Sequence, residues 1–503
     1  MTIDFSSQIQ YIWALLPEVL LTVWAMLILL VDVFQKGDRS EPSSPAITWL
    51  TLLGILLAAA ANLWLLTLRE ATPAGIIALD GFRIFTNFLF LLAGVLFVLI
   101  SARYLEEEGL RLGELYVLML LSTVGMMLFA GTRDLMLIFL GLELLSVPIY
   151  VLTGANRRSR ASAEGAIKYF LLGAFSSAFF LFGVALIYGG ARTTNLTLVS
   201  LAIGIDGLGA NTLVTIGMAL LAVGFGFKVA AVPFHMWTPD AYEGAPAPVT
   251  AFMAASVKAA AFAAFLRVFL TAFPGLYDTW GRMVFWLALI TMVAANLTAL
   301  VEPNVKRMLA YSSIAHAGYL LVALASASVI GAASFLFYLV VYTLMTIGAF
   351  AVMVAVAGRG EEWLDVESYS GLGWRRPLLG IVMTIFLLSL AGFPFTGGFI
   401  GKVFILRAAV EKGMNWLAVV LVLTSLVSYW YYLRVAWYMW FREAPAGAPV
   451  PVRTSRAMTV ALVAAAVLVV ALGVAPGGLL RAAQDGASTL LQPPASTVGI
   501  AHR

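Results

Sequence analysis

The sequence predicts an all-α polytopic membrane protein with about 14 transmembrane helices. Apolar residues occupy 62% of the 503 positions. Charged residues occupy 11%, against roughly 25% in ordinary soluble domains. Apolar runs recur along the whole chain, and most are long enough to cross a hydrocarbon core of about 30 Å. Fourteen helices of about 22 residues would use roughly 308 residues, which nearly equals the apolar total and leaves little for a soluble domain.

The apolar runs are continuous, which favours helices because a membrane-barrel strand alternates in polarity over about ten residues. The fourteen runs are 11–33, 45–68, 79–101, 115–130, 134–153, 164–188, 212–232, 246–272, 283–301, 307–326, 329–356, 377–408, 414–441 and 457–476. The remaining stretch, 477–503, contains Gly, Pro, Ser and Thr, and this composition predicts a loose tail.

Loop charges predict the orientation, because cytoplasmic loops carry an excess of Lys and Arg. The loops after odd-numbered runs hold Lys36, Arg39, Arg103, Arg111, Arg157, Arg158, Arg160, Lys306, Arg307, Arg359, Arg375, Arg376, Arg442, Arg453 and Arg456. The loops after even-numbered runs hold only Arg69, Arg133, Arg192, Arg282 and Lys412. We therefore expect the odd loops in the cytoplasm and both termini on the non-cytoplasmic side.

Two runs contain helix-breaking residues. Run 7 reads VGFGFKVAAVPFH and contains Pro233, and run 12 reads LAGFPFTGGFIGK and contains Pro394. A proline has no N–H, so the carbonyls of Val229 and Leu390 lose their helical partners and need water or side chains instead. The sequence therefore predicts broken helices 7 and 12.

The spacing of the two breaks predicts an internal repeat. Runs 7 and 12 are five spans apart, and an odd offset gives equivalent helices opposite orientations. Paired broken helices of opposite orientation are typical of inverted-repeat transporters. We therefore expect two inverted five-helix repeats, helices 4–8 at 115–272 and helices 9–13 at 273–441. Helices 1–3 at 1–114 precede them, and helix 14 with the tail follows at 442–503.

Several ionisable residues lie inside the runs, where a charge costs at least about 2.5–3.5 kcal/mol and usually marks a pathway. Glu143 in run 5 and Lys228 in run 7 could form a pair, with either a functional or a purely structural role. Lys258 and Lys402 have no acidic partner in their own runs. A buried lysine without a counter-charge gives up its proton readily, which suggests a relay. His316 could join that relay or simply bond a neighbouring helix.

Charges nearer the run ends have simpler interpretations. Glu164 and Lys168 form an i,i+4 pair near the start of run 6, and they could act either in the relay or as a surface pair. Glu18 and Arg83 lie near run ends, where snorkelling towards the headgroups would explain them.

The composition also excludes several kinds of site. The chain has no cysteine, which rules out Cys-ligated iron–sulfur clusters, zinc–thiolate sites and disulfides. Three histidines, His235, His316 and His502, argue against a multi-histidine metal or haem site. Phosphate-loop and dinucleotide fingerprints are absent from the sequence. The net charge of +4 is dispersed among loops, which argues against nucleic acid. We therefore expect no metal-binding, cofactor-binding or redox residue in this chain.

Five segments resemble the subunit N family of bacterial respiratory complex I, the NADH–quinone oxidoreductase. They are FKVAAVPFHMWTPDAYEGAPAPVTAFMAASVKAAAFAAFLR at 227–267, GLELLSVPIYVL at 141–152, EGAIKYFLLGAFSSAFFLFG at 164–183, NVKRMLAYSSIAHAGYLL at 304–321 and LAGFPFTGGFIGK at 390–402. The resemblance extends over residues 10–475. The related subunits L and M share the PFH-x-W-x-PDA core, but subunit M typically carries Glu where Lys402 stands.

The resemblance implies an antiporter-like fold in a proton-translocating membrane subunit of this enzyme. By motif match, Glu143 and Lys228 are the helix 5–helix 7 pair, Lys258 is the central lysine of helix 8, and Lys402 is the lysine of helix 12. Neighbours would include subunit M and small subunits such as K, J and A, in the bacterial inner membrane. FMN, iron–sulfur clusters and quinone would belong to partner subunits.

Other functions remain open from the sequence. A subunit of a multi-subunit cation/proton antiporter shares the fold and the lysines, and it would show sodium-dependent activity without NADH oxidation. A membrane hydrogenase or photosynthetic dehydrogenase subunit would differ in its electron-input partners. A non-conducting spacer would use the same lysines only for assembly.

Overall fold

The computed structural model describes residues 2–3, 8–34, 45–70, 75–110, 112–205, 211–357, 363–444 and 454–491. In this part of the chain the only strands are β1 (Thr2–Ile3) and β2 (Arg69–Glu70), which pair in parallel. The α-helices are α1 Gln8–Ala14, α2 Leu16–Phe34, α3 Pro45–Trp64, α4 Gly81–Glu107, α5 Leu112–Gly131, α6 Leu135–Thr153, α7 Arg160–Ala191, α8 Leu196–Ile205, α9 Thr212–Lys228, α10 Thr238–Gly244, α11 Ala247–Phe252, α12 Lys258–Ala272, α13 Tyr277–Val301, α14 Val305–Ala325, α15 Val329–Val356, α16 Leu372–Arg375, α17 Pro377–Ala391, α18 Gly397–Glu411, α19 Asn415–Phe441, α20 Arg456–Val474 and α21 Gly477–Leu491. A π-turn at Met253–Val257 joins α11 to α12, and 3₁₀ turns occupy Leu65–Thr67, Pro274–Leu276 and Val366–Tyr369.

The all-helical, multi-span class predicted from composition is confirmed. Twelve helices within the described ranges are long and apolar enough to cross a membrane. Two shorter apolar helices, α9 and α17, occupy runs 7 and 12. The loop cations Lys36, Arg39, Arg111, Arg359 and Arg453 lie outside the described residues.

The spans differ in burial, and this difference defines the centre of the molecule. In an apolar 18-residue stretch of the α11–α12 span every residue is buried, and in such a stretch of α14 and of α15 94% of the residues are buried. By contrast, only 28% of the residues are buried in the corresponding stretch of α2, and 33% in that of α7. Polar and ionisable side chains on the central helices are therefore removed from lipid, whereas the outer helices present apolar faces to it.

Each of the two breaks is a short non-helical segment between two helices. α9 ends at Lys228, and turns that contain Pro233 lead to α10. α17 ends at Ala391 and is capped by Gly392, which has a φ of 89°; α18 begins after Thr396, whose side chain accepts a bond from Phe399 N. A side chain at Gly398 would collide with the Ser389 carbonyl of α17. Glycine at this position lets the two halves of the broken segment approach each other.

The loose tail predicted at 477–503 is wrong for residues 477–491, which form α21. Ala483, Gly486, Ala487 and Leu490 recur at three- and four-residue spacing, so they share one face. That face is buried against α4 and α15. Small residues reduced the average hydropathy of the stretch and hid this periodicity. Residues 492–503 lie outside the described part.

Snorkelling is also the wrong explanation for Glu18 and Arg83. Both side chains are buried, and they form an ion pair at 2.6 Å between α2 and the start of α4. Nearby, Asp80 accepts bonds at 2.9 and 2.7 Å from both terminal nitrogens of Arg267 on α12. Burial alone would raise the pKa of Asp80. The charges of Arg267 and Arg133, with hydrogen bonds from the Arg267 side chain and the Arg83 backbone N–H, hold that pKa well below its usual range.

Candidate functional site

Lys228 lies buried at the end of α9, where the first broken segment leaves its helix. Its Nζ donates to Ser146 Oγ on α6 at 2.7 Å and to the Tyr169 hydroxyl on α7 at 3.4 Å. The same nitrogen lies 5.4 Å from the ring centre of Tyr150 and 5.3 Å from that of Tyr169. Hydroxyl oxygens and aromatic faces thus surround this cation.

Glu143, the expected partner of Lys228, lies on α6 but forms no direct ion pair with it at 4.0 Å or less. Its Oε1 is buried and has no hydrogen-bond partner among the described residues. Ser146 follows Glu143 by three residues and therefore lies on the same face of the helix. Ser146, the hydrogen-bond partner of Lys228, was not predicted from the sequence. Its position three residues after a glutamate in an apolar run was the sequence signal that could have identified it.

We expect Ser146→Ala to slow proton movement, because Lys228 would lose its shortest hydrogen bond. A loss of about fivefold in proton pumping corresponds to one net hydrogen bond. The measurement is dye-reported acidification of inverted vesicles that contain the assembled complex. Ser101→Ala is a suitable control, because Ser101 is equally buried and faces its own helix at Val98 O. Unchanged pumping in Ser146→Ala would contradict this role.

Lys258 begins α12, directly after the π-turn Met253–Val257. Its Nζ donates to the carbonyl of Ser313 on α14 at 3.0 Å and also to the Ser313 hydroxyl. The Tyr242 hydroxyl of α10 lies 3.4 Å from that same Ser313 oxygen. Single π-helical turns occur frequently at functional sites, and this one directly precedes the lysine that links α12 to α14.

His316 is buried on α14 and is held by two tyrosines. Its Nδ1 lies 2.6 Å from the Tyr338 hydroxyl of α15, and its Nε2 lies 3.1 Å from the Tyr432 hydroxyl of α19. A neutral imidazole has one donor and one acceptor nitrogen, and a tyrosine hydroxyl can serve either. Both ring nitrogens therefore have partners through which a proton can pass.

Lys402 lies on α18, and its Nζ donates to the carbonyls of Leu390 and Ala391 at 3.0 and 2.9 Å. These carbonyls end α17, and the Leu390 oxygen is the one that Pro394 cannot bond. Lys402 therefore supplies the hydrogen-bond donor that these carbonyls lack at the break, and the carbonyls in turn bind its buried ammonium group. The Lys402 nitrogen also lies 4.8 Å from the ring centre of Tyr319.

One face of α14 connects Lys258 with Lys402. Ser313, His316 and Tyr319 follow at three-residue spacing, so each neighbours the next along a stripe that winds around the helix over roughly 9 Å. Ser313 bonds Lys258, the rings of His316 and Tyr319 are 5.3 Å apart, and Tyr319 faces Lys402. Polar and aromatic groups thus line the whole distance between the two lysines.

Glu164 and Lys168 belong to a more exposed network at the other end of the first break. Lys168 pairs with Glu164 at 2.6 Å and with Asp240 of α10 at 2.7 Å. Arg307 of α14 joins Asp240 at 2.9 Å to Glu243 at 2.7 Å. Partial burial would raise the pKa of Asp240, but Lys168 and Arg307 lower it through hydrogen bonds and charge.

The network anchors the segment that covers Lys228. Trp237, which follows Pro233 by four residues, stacks on Tyr169 with ring centres 4.1 Å apart. Its Nε1 donates to the Phe227 carbonyl at 3.0 Å. The short helix α10 then carries Asp240 into the ion pairs. The first break therefore places an aromatic cover over one buried lysine.

The arrangement as a whole can hold and pass protons. Amines, an imidazole and phenols alternate along the centre of the molecule, and each can donate or, once deprotonated, accept. Among the described residues, no group of three or more His, Asp and Glu side chains is placed to hold a metal ion. The chemistry that this chain's own residues offer is proton transfer.

Comparisons with known proteins identify the family of this chain. Residues 132–428 match the family model described as NADH:quinone oxidoreductase/Mrp antiporter, transmembrane. NADH-quinone oxidoreductase subunit N of Trichlorobacter lovleyi is 51% identical over 85% of this chain and 87% of its own length. Subunit N 1 of Solibacter usitatus is 41% identical over 94% of this chain and 97% of its own.

Solved structures show the same relationship. A chain of respiratory complex I from Thermus thermophilus with bound aureothin superposes with a TM-score of 0.77 and 37% identity, covering 93% of this chain and all of that one. A chain of an archaeal membrane-bound sulfane sulfur reductase gives 0.82 and 26% identity, covering 95% and 98%. The chain therefore belongs to the family of NADH-quinone oxidoreductase subunit N, the proton-translocating membrane subunits of that enzyme complex.

Proposed function

We propose that protons cross the membrane through a relay of Glu143, Lys228, Lys258, His316 and Lys402. The observation that supports it best concerns the three lysines. Each is at most 6% exposed, and each donates to neutral oxygens without a carboxylate within 4.0 Å among the described residues. A buried ammonium held only by neutral partners exchanges its proton at little cost.

The relay begins when Glu143, whose charge acts on Lys228 without a direct contact, ceases to stabilise the Lys228 ammonium. Lys228 then becomes a neutral amine, and its proton passes to the neutral amine of Lys258, which becomes the ammonium. The Ser313–His316–Tyr319 face of α14 carries the next transfer to Lys402. Glu164 and Lys168 are exposed and paired with each other, which supports a structural role for them.

The proposal also includes the membrane topology. Twelve long apolar helices together with α9 and α17 give fourteen passes, arranged as two inverted five-helix repeats around the breaks. The positive-inside distribution supports both termini on the non-cytoplasmic side of the bacterial inner membrane. Two breaks five spans apart, each beside a buried lysine, support this symmetry.

The driving energy comes from partner subunits, because this chain has no cysteine to ligate a cluster. We propose that FMN, iron–sulfur clusters and quinone lie in those partners. Subunit M and small subunits such as K, J and A are the proposed neighbours. The relatives' names as subunits of one oxidoreductase support such an assembly.

The proposal predicts which proteins and activity accompany the tagged chain from mild detergent. We expect a multi-subunit assembly that oxidises NADH with quinone and keeps this activity when sodium is omitted. The alternative is a subunit of a multi-subunit cation/proton antiporter. The fold alone is also shared with a chain of the Mrp complex from Dietzia sp., at a TM-score of 0.81 and 23% identity. Sodium-dependent activity without NADH oxidation would therefore support that alternative and contradict our proposal.

A further inference from the structure

Three hydroxyls on α15 are buried and have no partner in the described part of the chain. They belong to Tyr342, Thr343 and Thr346, whose residues are 1%, 0% and 4% exposed. Positions i, i+1 and i+4 form one contiguous patch on a helix surface. A buried hydroxyl without a partner costs roughly 1–3 kcal/mol, so three adjacent ones need an explanation.

The two threonines differ from most buried threonines of this protein. In Thr51, Thr86, Thr123, Thr153 and Thr424 the hydroxyl donates to the carbonyl four residues earlier in its own helix. Thr343 and Thr346 make no such bond and keep their donor capacity for another group. Three hydroxyls within one helical turn suit a water molecule, which typically makes about three hydrogen bonds when buried.

The patch lies beside the relay. The Tyr342 ring centre is 5.2 Å from that of His316. Ser313, the residue that bonds Lys258, lies three residues before His316 on α14. Four residues beyond Thr346 on the same face, Phe350 packs against Tyr242 of α10 at 6.5 Å. This face of α15 therefore leads from His316 towards the helix that follows the first break.

We propose that Tyr342, Thr343 and Thr346 bind water and relay protons along α15 to Lys258 and His316. This inference rests on the proposed function, because it adds a proton donor to the relay described above. The bound water accepts a proton from the α10 side and releases one to the Lys258 amine. The hydroxyls of Tyr342, Thr343 and Thr346 orient the water. After each transfer they carry the same protons and the same charge as before.

The test compares isosteric changes in the assembled complex. Thr343→Val and Thr346→Val remove a hydroxyl and keep the branched shape, and Tyr342→Phe removes one oxygen atom. We expect each to lower proton pumping in inverted vesicles by about fivefold, and Thr346→Ser to restore it. Thr123→Val is the matched control, because its hydroxyl already bonds the Met119 carbonyl of its own helix. That variant should pump normally.

Two results would overturn the inference. One is normal pumping in an assembled Tyr342→Phe complex, which is the mildest change and keeps the test decisive where a valine variant fails to assemble. The other is a loss in Thr346→Val that serine does not restore, since this would indicate packing. Full pumping by Lys402→Ala in the same vesicles would instead contradict the proposed function, so the two failures can be distinguished.

Discussion

Replacing Lys402 by alanine is expected to reduce proton pumping by about a hundredfold, because a positioned proton-transfer group typically contributes 10²–10⁴ in rate. Lys402 is the amine beside the second break, and it also satisfies the Leu390 and Ala391 carbonyls. Alanine removes both the proton carrier and the donor to these carbonyls. The measurement is vesicle acidification driven by NADH, with the subunit composition of the complex determined in parallel.

Two variants separate proton transfer from local structure. Lys412→Ala removes an exposed lysine ten residues later, beside the Tyr277 ring, and should leave pumping unchanged. Lys402→Gln retains a donor for the two carbonyls but cannot carry a proton, so it should pump as poorly as alanine. Pumping at the native rate by Lys402→Gln would reject Lys402 as a carrier and leave it only a structural role.

The broken segments show how far local sequence reasoning reaches. Pro394 lacks an N–H, and this fact alone predicted that the Leu390 carbonyl needs another donor. The structure supplies Lys402, which stands twelve residues from Leu390. Both residues lie in one motif, so the constraint and its solution were visible together. The buried lysines were likewise detectable, because a charge in an apolar run is conspicuous.

The partners of these lysines could not be predicted in the same way. Ser313 lies 55 residues from Lys258, and Ser146 lies 82 residues from Lys228. Serine, threonine and tyrosine are common in membrane helices, and nothing local distinguishes a hydroxyl that faces a lysine from one that bonds its own backbone. Which helix faces which is decided by packing of the whole bundle, as the expected Glu143–Lys228 contact illustrates. In the structure Ser146 takes that place.

The partner of Asp80 was even harder to predict from the sequence, because Arg267 is 187 residues away. Both side chains lie near ends of apolar runs, where snorkelling was a sufficient explanation for charges such as Arg83. The structure instead buries them among α2, α4 and α12. Arg267 also donates to the Ala130 carbonyl at 2.6 Å and lies over the Phe82 ring. The cluster thereby joins the first helices to the one that carries Lys258.

Asp80→Ala is expected to destabilise the protein by about 3–5 kcal/mol, because it leaves the Arg267 guanidinium buried without its counter-charge. It also removes the side-chain cap of α4, where Asp80 accepts from Arg83 N at 2.8 Å. Asp80→Asn keeps the capping oxygen and loses only the charge, so its cost measures the ion pair. Thermal unfolding of the purified protein in detergent measures the loss of stability in each of the two variants.

The matched control is Arg407→Ala, which breaks the exposed Arg407–Glu411 pair at 2.7 Å. Exposed pairs contribute about 0–1 kcal/mol, so this variant should unfold at nearly the native temperature. The pKa of Asp80 is held below its usual range, so its contribution is complete at neutral pH and is lost only as acid protonates the folded state. Equal decreases in the unfolding temperature for Asp80→Ala and Arg407→Ala would show that burial does not strengthen the Asp80–Arg267 pair. The position of α12, and with it Lys258, would then not depend on this cluster.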